Sequence, residues 1–209
     1  MNGSDGIMNG IAIRNLAELG QDGLRQATEV FVDGFFQSLS YFSKDRARLV
    51  RALEHALVKE HFFVALVDGR VLGIFAFSAG RQRAFRLNRD ILRKELGWLK
   101  GSLFYAFVRQ ELEKPLGLKD RQCYFEAVAT ADEAKGKGIA TRLHDHLLSV
   151  LDYDEYILEV VDTNTAAVRL YEKLGYAEFN RKPQRWFRKQ AGFNARIYMK
   201  KHADNSSLR

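Results

Sequence analysis

The sequence predicts an α/β fold in which a mixed, twisted central sheet is flanked by helices. Three observations lead to this prediction. Several segments carry apolar residues at helical spacing, short apolar runs of strand length lie between them, and an Asp68-Gly69 pair joins two such runs. Helices that alternate with strands require crossovers and therefore partly parallel pairing, whereas an Asp-Gly pair is typical of an antiparallel hairpin.

Length and composition indicate a single domain. The chain has 209 residues, which is enough for one well-buried domain and short for two. We expect residues 11–200 to form that domain. Residues 1–10, which are rich in Gly, Asn and Ser, are expected to be a flexible segment, and residues 201–209 a polar tail.

Composition also indicates the cellular compartment of the protein and the kinds of ligand that it can bind. The longest apolar runs, at 62–67 and 71–77, are too short to cross a bilayer, and no secretory signal pattern is seen. The single cysteine, Cys123, excludes an internal disulfide and fits the reducing cytoplasm; we interpret it as a small buried hydrophobe. The net charge of +7 suits an acidic ligand such as a nucleotide phosphate. The basic residues are mostly dispersed, and we interpret the two exceptions as solvated surface, so we expect neither nucleic acid nor a membrane as a partner. The exceptions are the run 181–189 and a cluster of Arg81, Arg83, Arg86, Arg89 and Arg93.

The first half of the domain predicts a strand, two helices and a hairpin. Residues 11–14 alternate weakly and are interpreted as the first strand. Residues 22–36 carry apolar side chains on one helical face, and Ser43 is interpreted as the N-cap of a second helix. Residues 61–67 and 70–78 are expected to be the arms of the hairpin.

The segment 79–121 predicts a helical insertion between the third and fourth strands. It contains two apolar stripes at helical spacing, Leu87, Ile91, Leu92 and Leu96 in the first and Leu103, Phe104, Phe107, Val108 and Leu112 in the second. Gly97 and Gly101 interrupt the apolar pattern between the two stripes, and Pro115 ends the second stripe.

Strands and helices alternate in the second half. Residues 121–130 are expected to form the fourth strand, residues 139–151 a helix, and residues 154–161 a buried parallel strand, because the last segment is almost continuously apolar. A short helix capped at Asn164 and ended by Gly175 follows. Two further strands are predicted at 176–179 and 193–199.

A glycine-rich stretch joins the fourth strand to its helix. It reads Lys135-Gly136-Lys137-Gly138-Ile139-Ala140. The first N–H groups of a helix have no partner within it, and the helix dipole adds partial positive charge there. Small residues let an anion approach the backbone closely. The stretch is therefore a candidate phosphate cradle.

Two motifs resemble those of the GNAT N-acetyltransferase superfamily. The segment 124–140 resembles the family's cofactor motif, written Gln/Arg-x-x-Gly-x-Gly/Ala. The segment 164–176 resembles its Asn-x-x-Ala-x-x-Leu-Tyr-x-x-x-Gly-Phe segment. Two positions depart from the pattern: Lys135 stands where Gln or Arg is usual, and Asp132 where proline is common. The insertion does not belong to the minimal family fold.

The resemblance implies acetyl-CoA as the acetyl donor and a primary amine as the acceptor, with no metal. Carried over by position, the backbone N–H groups of residues 135–140 would hold the pyrophosphate, with a hydroxyl from Thr141. The backbone of Val128, Ala129 and Thr130 would bind the pantetheine arm as an added strand, and an N–H near Val128 would polarise the thioester carbonyl. Asn164 would reach the pantetheine.

Direct acyl transfer needs a base and an acid. An amine with a pKa of about 10.4 arrives protonated, so a carboxylate must accept its proton. Glu126 and Glu159, both in predicted strands, are equally good candidates for this base. The family resemblance assigns Tyr171 as the general acid that protonates the leaving thiolate, and also places it at the cofactor.

The acceptor is not identified by the sequence. A small-molecule amine is the preferred prediction, and a protein or peptide amine is the alternative. A non-catalytic acyl-CoA sensor is the alternative of another class. The arginines and aromatic residues of the insertion are candidates for selecting the acceptor, the aromatic ones being Phe85, Trp98, Phe104, Tyr105 and Phe107. A homodimer is compatible with the family, although no surface feature of the sequence predicts one.

Overall fold

The computed structural model describes residues 10–184 and 192–203. The predicted flexible segment therefore lies outside the described residues except for Gly10, as do residues 204–209 of the predicted tail. The described chain contains a seven-stranded sheet in the order β1-β2-β3-β4-β5-β7-β6. Its strands are β1 (Ala12–Asn15), β2 (Phe62–Val67), β3 (Arg70–Ala79), β4 (Gln122–Thr130), β5 (Glu155–Val161), β6 (Ala177–Pro183) and β7 (Ala195–His202).

The sheet is mixed, as the sequence predicts. β4 and β5 pair in parallel, and the other neighbours pair antiparallel. The predicted hairpin is β2–β3, and both of its turn residues have positive φ angles, 49° at Asp68 and 77° at Gly69. β7 continues to His202, two residues into the predicted polar tail.

Helices cover both faces of the sheet. They are α1 (Gln21–Gly34), α2 (Phe36–Leu39), α3 (Arg46–Leu53), α4 (Arg89–Leu96), α5 (Trp98–Leu112), α6 (Ile139–Val150) and α7 (Thr165–Lys173). One cap prediction is wrong: Asp45, not Ser43, caps α3, because its side chain accepts from the N–H of Arg48 at 3.0 Å. Ser43 instead accepts from the N–H of Asp45 at 3.1 Å, in the turn before the helix.

The core is divided into two clusters by the sheet. One cluster packs beneath α1, α3, α4 and α5, and the other beneath α6 and α7. Cys123 is fully buried in the second cluster, and burial raises the pKa of its thiol. This agrees with its interpretation as a small buried hydrophobe.

Two helices, α4 and α5, connect β3 to β4 at the positions of the predicted apolar stripes. Asn88 caps α4 by accepting from the N–H groups of Asp90 and Ile91. Gly101 lets α5 lie directly on α4, since a Cβ at this position would collide with the Leu92 carbonyl oxygen and the Arg93 backbone.

β4 leaves β5 halfway along its length. The two strands pair only from Gln122–Glu155 to Phe125–Leu158. Beyond that point β4 continues to pair with β3 as far as Thr130, while β5 continues to pair with β7. Within residues 10–184 and 192–203, one edge of β4 therefore has no strand partner from Glu126 onward.

A β-bulge lies where the strands separate. Ala76 of β3 pairs with Ala127, and the next residue, Phe77, pairs with Phe125, so no residue of β3 lies opposite Glu126 in the strand register. A bulge reverses the alternation of side chains beyond it. Accordingly Phe125 packs in the core on the α6 side of the sheet, whereas Ala127 packs in the core on the α1 side.

Candidate active site

A cavity of about 860 Å³ opens at the point where β4 and β5 separate. The three candidate catalytic residues, Glu126, Glu159 and Tyr171, all line it, although they come from β4, β5 and α7. Val128 and Asn164 also line the cavity. The tertiary structure thus brings together most of the residues that the sequence singled out for catalysis and for the pantetheine arm.

Glu126 lies in a buried ion pair. Its side chain is 3% exposed and that of Arg83 is 8% exposed, with Arg83 Nε donating to Glu126 Oε1 at 2.5 Å. The hydroxyl of Ser78 donates to the same oxygen. The second oxygen, Oε2, is buried and has no hydrogen-bond partner among the described residues. A buried carboxylate oxygen without a donor is rare in folded proteins, so Oε2 retains the capacity to accept one more hydrogen bond.

Arg83 connects Glu126 to the end of α5. Its Nη2 donates to the carbonyl of Glu111 at 2.9 Å, and its Nη1 donates to the carbonyl of Lys114. Carbonyl groups at a helix C-terminus lack partners in the helix and favour a cation. One guanidinium therefore stabilises the Glu126 carboxylate and holds the end of the α4–α5 segment against β4.

Glu159 is paired differently. Arg196 of β7 donates to Glu159 Oε1 at 2.6 Å and also contacts Glu111 at 3.3 Å. Burial and the nearby Glu159 carboxylate raise the pKa of Tyr198 to about 12. Glu159 is 20% exposed and thus more accessible than Glu126.

Tyr171 is a buried residue of α7. Its ring contacts that of Tyr176 edge-on, with centroids 5.6 Å apart. Burial raises its pKa above the ordinary tyrosine value, so the hydroxyl carries its proton at neutral pH. Asn164 caps α7 by accepting from the N–H of Ala167 at 3.2 Å, which makes it a structural residue as well as a cavity residue.

The glycine-rich stretch presents free donors. Gly136 and Gly138 both have φ of 73°, and Gly138 occupies the N-cap position of α6 without a side-chain cap. Within the described structure, several N–H groups here donate no hydrogen bond to the protein: those of Gly136, Gly138, Ile139, Ala140 and Thr141. Unpaired donors at a helix start fit the phosphates of a nucleotide cofactor.

Two N–H groups of the predicted phosphate cradle already donate hydrogen bonds within the protein. The N–H of Lys135 donates to the Asp132 carbonyl and that of Lys137 to the Ala134 carbonyl, each at 3.3 Å. The side chain of Lys135 pairs with the carboxylate of Asp132 at 2.6 Å, which lowers the pKa of Asp132. Asp132 and Lys135 both differ from the family pattern, and the positive charge of Lys135 neutralises the carboxylate of Asp132.

Part of the site was not predicted from the sequence. Arg196 was not singled out, and Arg83 was noted only as one of the insertion's arginines, because an arginine in a linear sequence carries no signal of the carboxylate that it will meet. The aromatic candidates of the insertion do not line this cavity: Phe85 and Phe104 are buried elsewhere, while Trp98 and Phe107 are 71% and 67% exposed. The wall is formed instead by residues 110–112 and 114–118.

Two kinds of feature are absent from the described residues. No group of three or more His, Cys, Asp or Glu side chains there is arranged to hold a metal ion. None of the helices in the described ranges has the length and hydropathy needed to cross a membrane.

Comparisons with known proteins agree with this geometry. The model of the acetyltransferase (GNAT) family matches residues 27–176. The structure of an N-acetyltransferase from Staphylococcus aureus Mu50 is similar, with 17% sequence identity and a TM-score of 0.60. The match covers 91% of this chain and 100% of the S. aureus chain. The ribosomal-protein-S18-alanine N-acetyltransferase from Escherichia coli has 14% identity and a TM-score of 0.54, covering 95% and 99%. No curated protein matches the sequence. At these identities the structural likenesses establish the fold alone.

Proposed function

The chain belongs to the GNAT acetyltransferase family and is an acetyl-CoA-dependent acetyltransferase, and on that premise we propose that it acetylates a primary amine of a small molecule by direct attack. The observation that carries this proposal is the cavity at the separation of β4 and β5. There the unpaired edge of β4, two glutamates and a protonated tyrosine meet.

The donor, acetyl-CoA, supplies the thioester that the amine attacks. The free N–H groups at the start of α6 would hold its pyrophosphate, and the unpaired edge of β4 would accept the pantetheine arm as an added strand. An N–H near Val128 on that edge would donate to the thioester carbonyl oxygen. These donors are backbone groups of β4, of the turn before α6 and of the first turn of α6, and they are held in place before the ligand arrives.

Glu126 is the preferred base. Its Oε2 is buried, lacks a partner and belongs to a carboxylate that Arg83 and Ser78 hold in one orientation. It would accept the proton of the acceptor amine directly or through one water. Glu159, whose Oε1 is paired with Arg196, would attract the acceptor ammonium into the cavity. Tyr171 would donate its proton to the departing thiolate.

A small acceptor is supported by the wall that residues 114–118 and the end of α5 form around the cavity. A concave, partly polar cavity of this size can bury a pantetheine arm together with a compact amine. A peptide acceptor is the alternative, and no contact in the described residues favours it.

The test is an amine screen. Purified protein is incubated with acetyl-CoA and matched panels of small amines and amine-terminated peptides, with thiol release as the readout and product mass as confirmation. Acetylated small amines with Tyr171-dependent thiol release would support the proposal. Peptide-only turnover would overturn the substrate class. Acetyl-CoA binding without turnover of any amine would indicate the non-catalytic sensor.

A further inference from the structure

A second cavity of about 420 Å³ lies next to the active-site cavity. Arg83 lines both, so the two share one wall. The second cavity carries three arginines, Arg81, Arg83 and Arg86, all from the segment that follows β3. Nothing in the acetyl transfer described above uses it.

Two of these arginines are available to a ligand. Arg81 and Arg86 are exposed, and across residues 10–184 and 192–203 neither makes an ion pair or a side-chain hydrogen bond. Arg83, by contrast, is fully engaged with Glu126 and with the carbonyls at the end of α5. A guanidinium presents a planar fork of donors that matches carboxylate and phosphate oxygens.

The backbone that carries the two arginines is held on both sides. Ala79 and Gln82 exchange two hydrogen bonds of 3.2 and 3.0 Å in the turn that contains Arg81. The N–H of Arg86 donates to the Ala56 carbonyl at 2.8 Å, and the N–H of Val58 donates to the Ala84 carbonyl at 2.9 Å. The arginine backbones are thus positioned before binding, which reduces the entropic cost of holding a ligand.

The remaining charges leave this cavity positive. Glu113 is occupied, since its carboxylate accepts from Arg109 at 3.1 Å and from the N–H of Leu87 at 2.5 Å. His61 has no spare donor, because its Nδ1 bonds the Phe77 carbonyl at 2.9 Å and its Nε2 faces the Gln82 amide at 3.2 Å. Among the described residues that line this cavity, Glu60 is the one remaining carboxylate to oppose Arg81 and Arg86.

We propose that this cavity binds an anionic group, a carboxylate or a phosphate, that the acceptor carries at a distance from its amine. This inference rests on the proposed function, because the amine must reach Glu126 on the other side of Arg83. The acceptor is then a zwitterionic small molecule, with its ammonium in the cavity of Glu126 and Glu159 and its anion on Arg81 and Arg86.

The experiment compares acceptors that differ in one charge. A series of ω-aminoalkyl phosphates of increasing length is assayed against the corresponding ω-amino alcohols. The test variant is Arg81→Ala/Arg86→Ala. The control variant, Arg89→Ala/Lys94→Ala, removes the same charge from exposed positions of α4 that lie outside the cavity.

We expect the wild-type protein to prefer the phosphate at one length, and the test variant to raise the KM for that phosphate by about 10-fold or more while kcat and the KM for the alcohol stay unchanged. The control variant should behave as wild type. No preference for the phosphate, or an equal loss with both acceptors, would overturn the proposal.

Calorimetric titration with the aminoalkyl phosphate separates this inference from the proposed function. Binding that the test variant loses, in a protein that acetylates no amine, would retain the anion site and reject the acetylation of small amines. Inorganic phosphate is the probe for a free anion. If it binds at Arg81 and Arg86 without raising the KM for the aminoalkyl phosphate, the assignment to the acceptor is overturned.

Discussion

At the residue scale, the bulge at Glu126 is the feature on which the proposed chemistry depends. Without the extra residue, β4 would keep its alternation and its pairing with β3 through the site. With it, Glu126 enters a buried cluster with Ser78 and Arg83 and keeps one oxygen free. Glu159 sits in regular β5 pairing and is already bonded to Arg196. The two glutamates that the sequence could not distinguish therefore have different environments.

Substituting each glutamate separates their roles. Glu126→Gln should lower kcat by about 10²- to 10³-fold, the range expected for loss of a general base. Glu159→Gln keeps an oxygen that can accept from Arg196, so kcat should fall by less than about 10-fold and the acceptor KM should rise. Steady-state kinetics check both, with folding monitored because Arg83 loses its counter-ion in the first variant. A larger kcat loss in Glu159→Gln would reverse the assignment.

Removing the Tyr171 hydroxyl tests the acid. Tyr171→Phe should lower kcat by about 10- to 100-fold while the acetyl-CoA affinity stays unchanged, because the hydroxyl acts only on the leaving thiolate. Stability should not fall, since the described structure shows no hydrogen bond of this hydroxyl to the protein. Thiol-release kinetics and chemical denaturation measure the two effects. Unchanged kcat would mean that another group or water protonates the thiolate.

At the element scale, the turn before α6 and the packing of α4 on α5 are both set by glycine. Gly136 and Gly138 take left-handed backbone conformations that expose N–H groups to a ligand. Gly101 has the opposite use, because it removes a side chain where two helices meet. In the proposed function the first two glycines would bind the donor, whereas Gly101 lets α5, whose end lines the cavity, pack closely on α4.

Filling the cradle should abolish donor binding. Gly138→Glu adds a carboxylate and a strained φ at the start of α6, so acetyl-CoA should bind at least about 100-fold more weakly, equivalent to about 2.7 kcal/mol. Gly69→Glu is the matched control, since Gly69 has a similar φ of 77° in the β2–β3 turn. Calorimetry should show retained binding in the control. Equal loss in both variants would point to unfolding rather than to the cradle.

Adding a methyl group between α4 and α5 tests whether their close packing supports the wall of the active-site cavity. Gly101→Ala places a Cβ against the backbone of Leu92 and Arg93, so α5 must shift. Overpacking of this kind lowers the free energy of unfolding by about 1–3 kcal/mol. Because the end of α5 lines the active-site cavity, the acceptor KM should rise as well. Lys100→Ala, at the exposed neighbouring position, is the control and should be nearly neutral in denaturation. A neutral Gly101→Ala would show that the helix pair can separate freely.

At the scale of the whole molecule, the segment between β3 and β4 is tied to the rest of the domain by polar contacts from several elements. Arg83 joins the end of α5 to β4. His55, which follows α3, accepts at its Nε2 from the N–H of Asn88 at 2.8 Å, at the start of α4. Only a neutral imidazole can accept there. Stability should therefore depend on pH.

The direction of this pH dependence follows from the linkage between protonation and folding. Burial lowers the pKa of His55 below 6.5, so between the folded and unfolded pKa values the unfolded chain binds more protons. The free energy of unfolding should fall as pH decreases below about 6.5, by at most about 1.4 kcal/mol per pH unit from this group. His55→Gln retains an acceptor that does not titrate, and should show a shallower decline in urea denaturation from pH 7.5 to 5. Identical slopes would show that other groups, such as buried His144, carry the acid sensitivity.

The sequence alone determined those features of the structure that depend on local or periodic residue patterns. Helical spacing located α4 and α5, the Asp-Gly pair located the β2–β3 turn, and glycines before an apolar helix located the cradle. These features depend on residues within one or two turns of each other, so a linear pattern records them. The family resemblance then brought Tyr171, Glu126 and Glu159 into consideration without ranking the two glutamates.

Only the tertiary structure decided the site itself. The separation of β4 from β5 and the bulge at Glu126 result from the register of strands that are distant in sequence. Arg83 and Glu126 are 43 positions apart, and Arg196 and Glu159 are 37 apart, so no local spacing records either pair. Burial makes the Arg83–Glu126 pairing obligatory, because a charge removed from water requires a partner. The identity of each partner was set by how the sheet and the α4–α5 segment pack together.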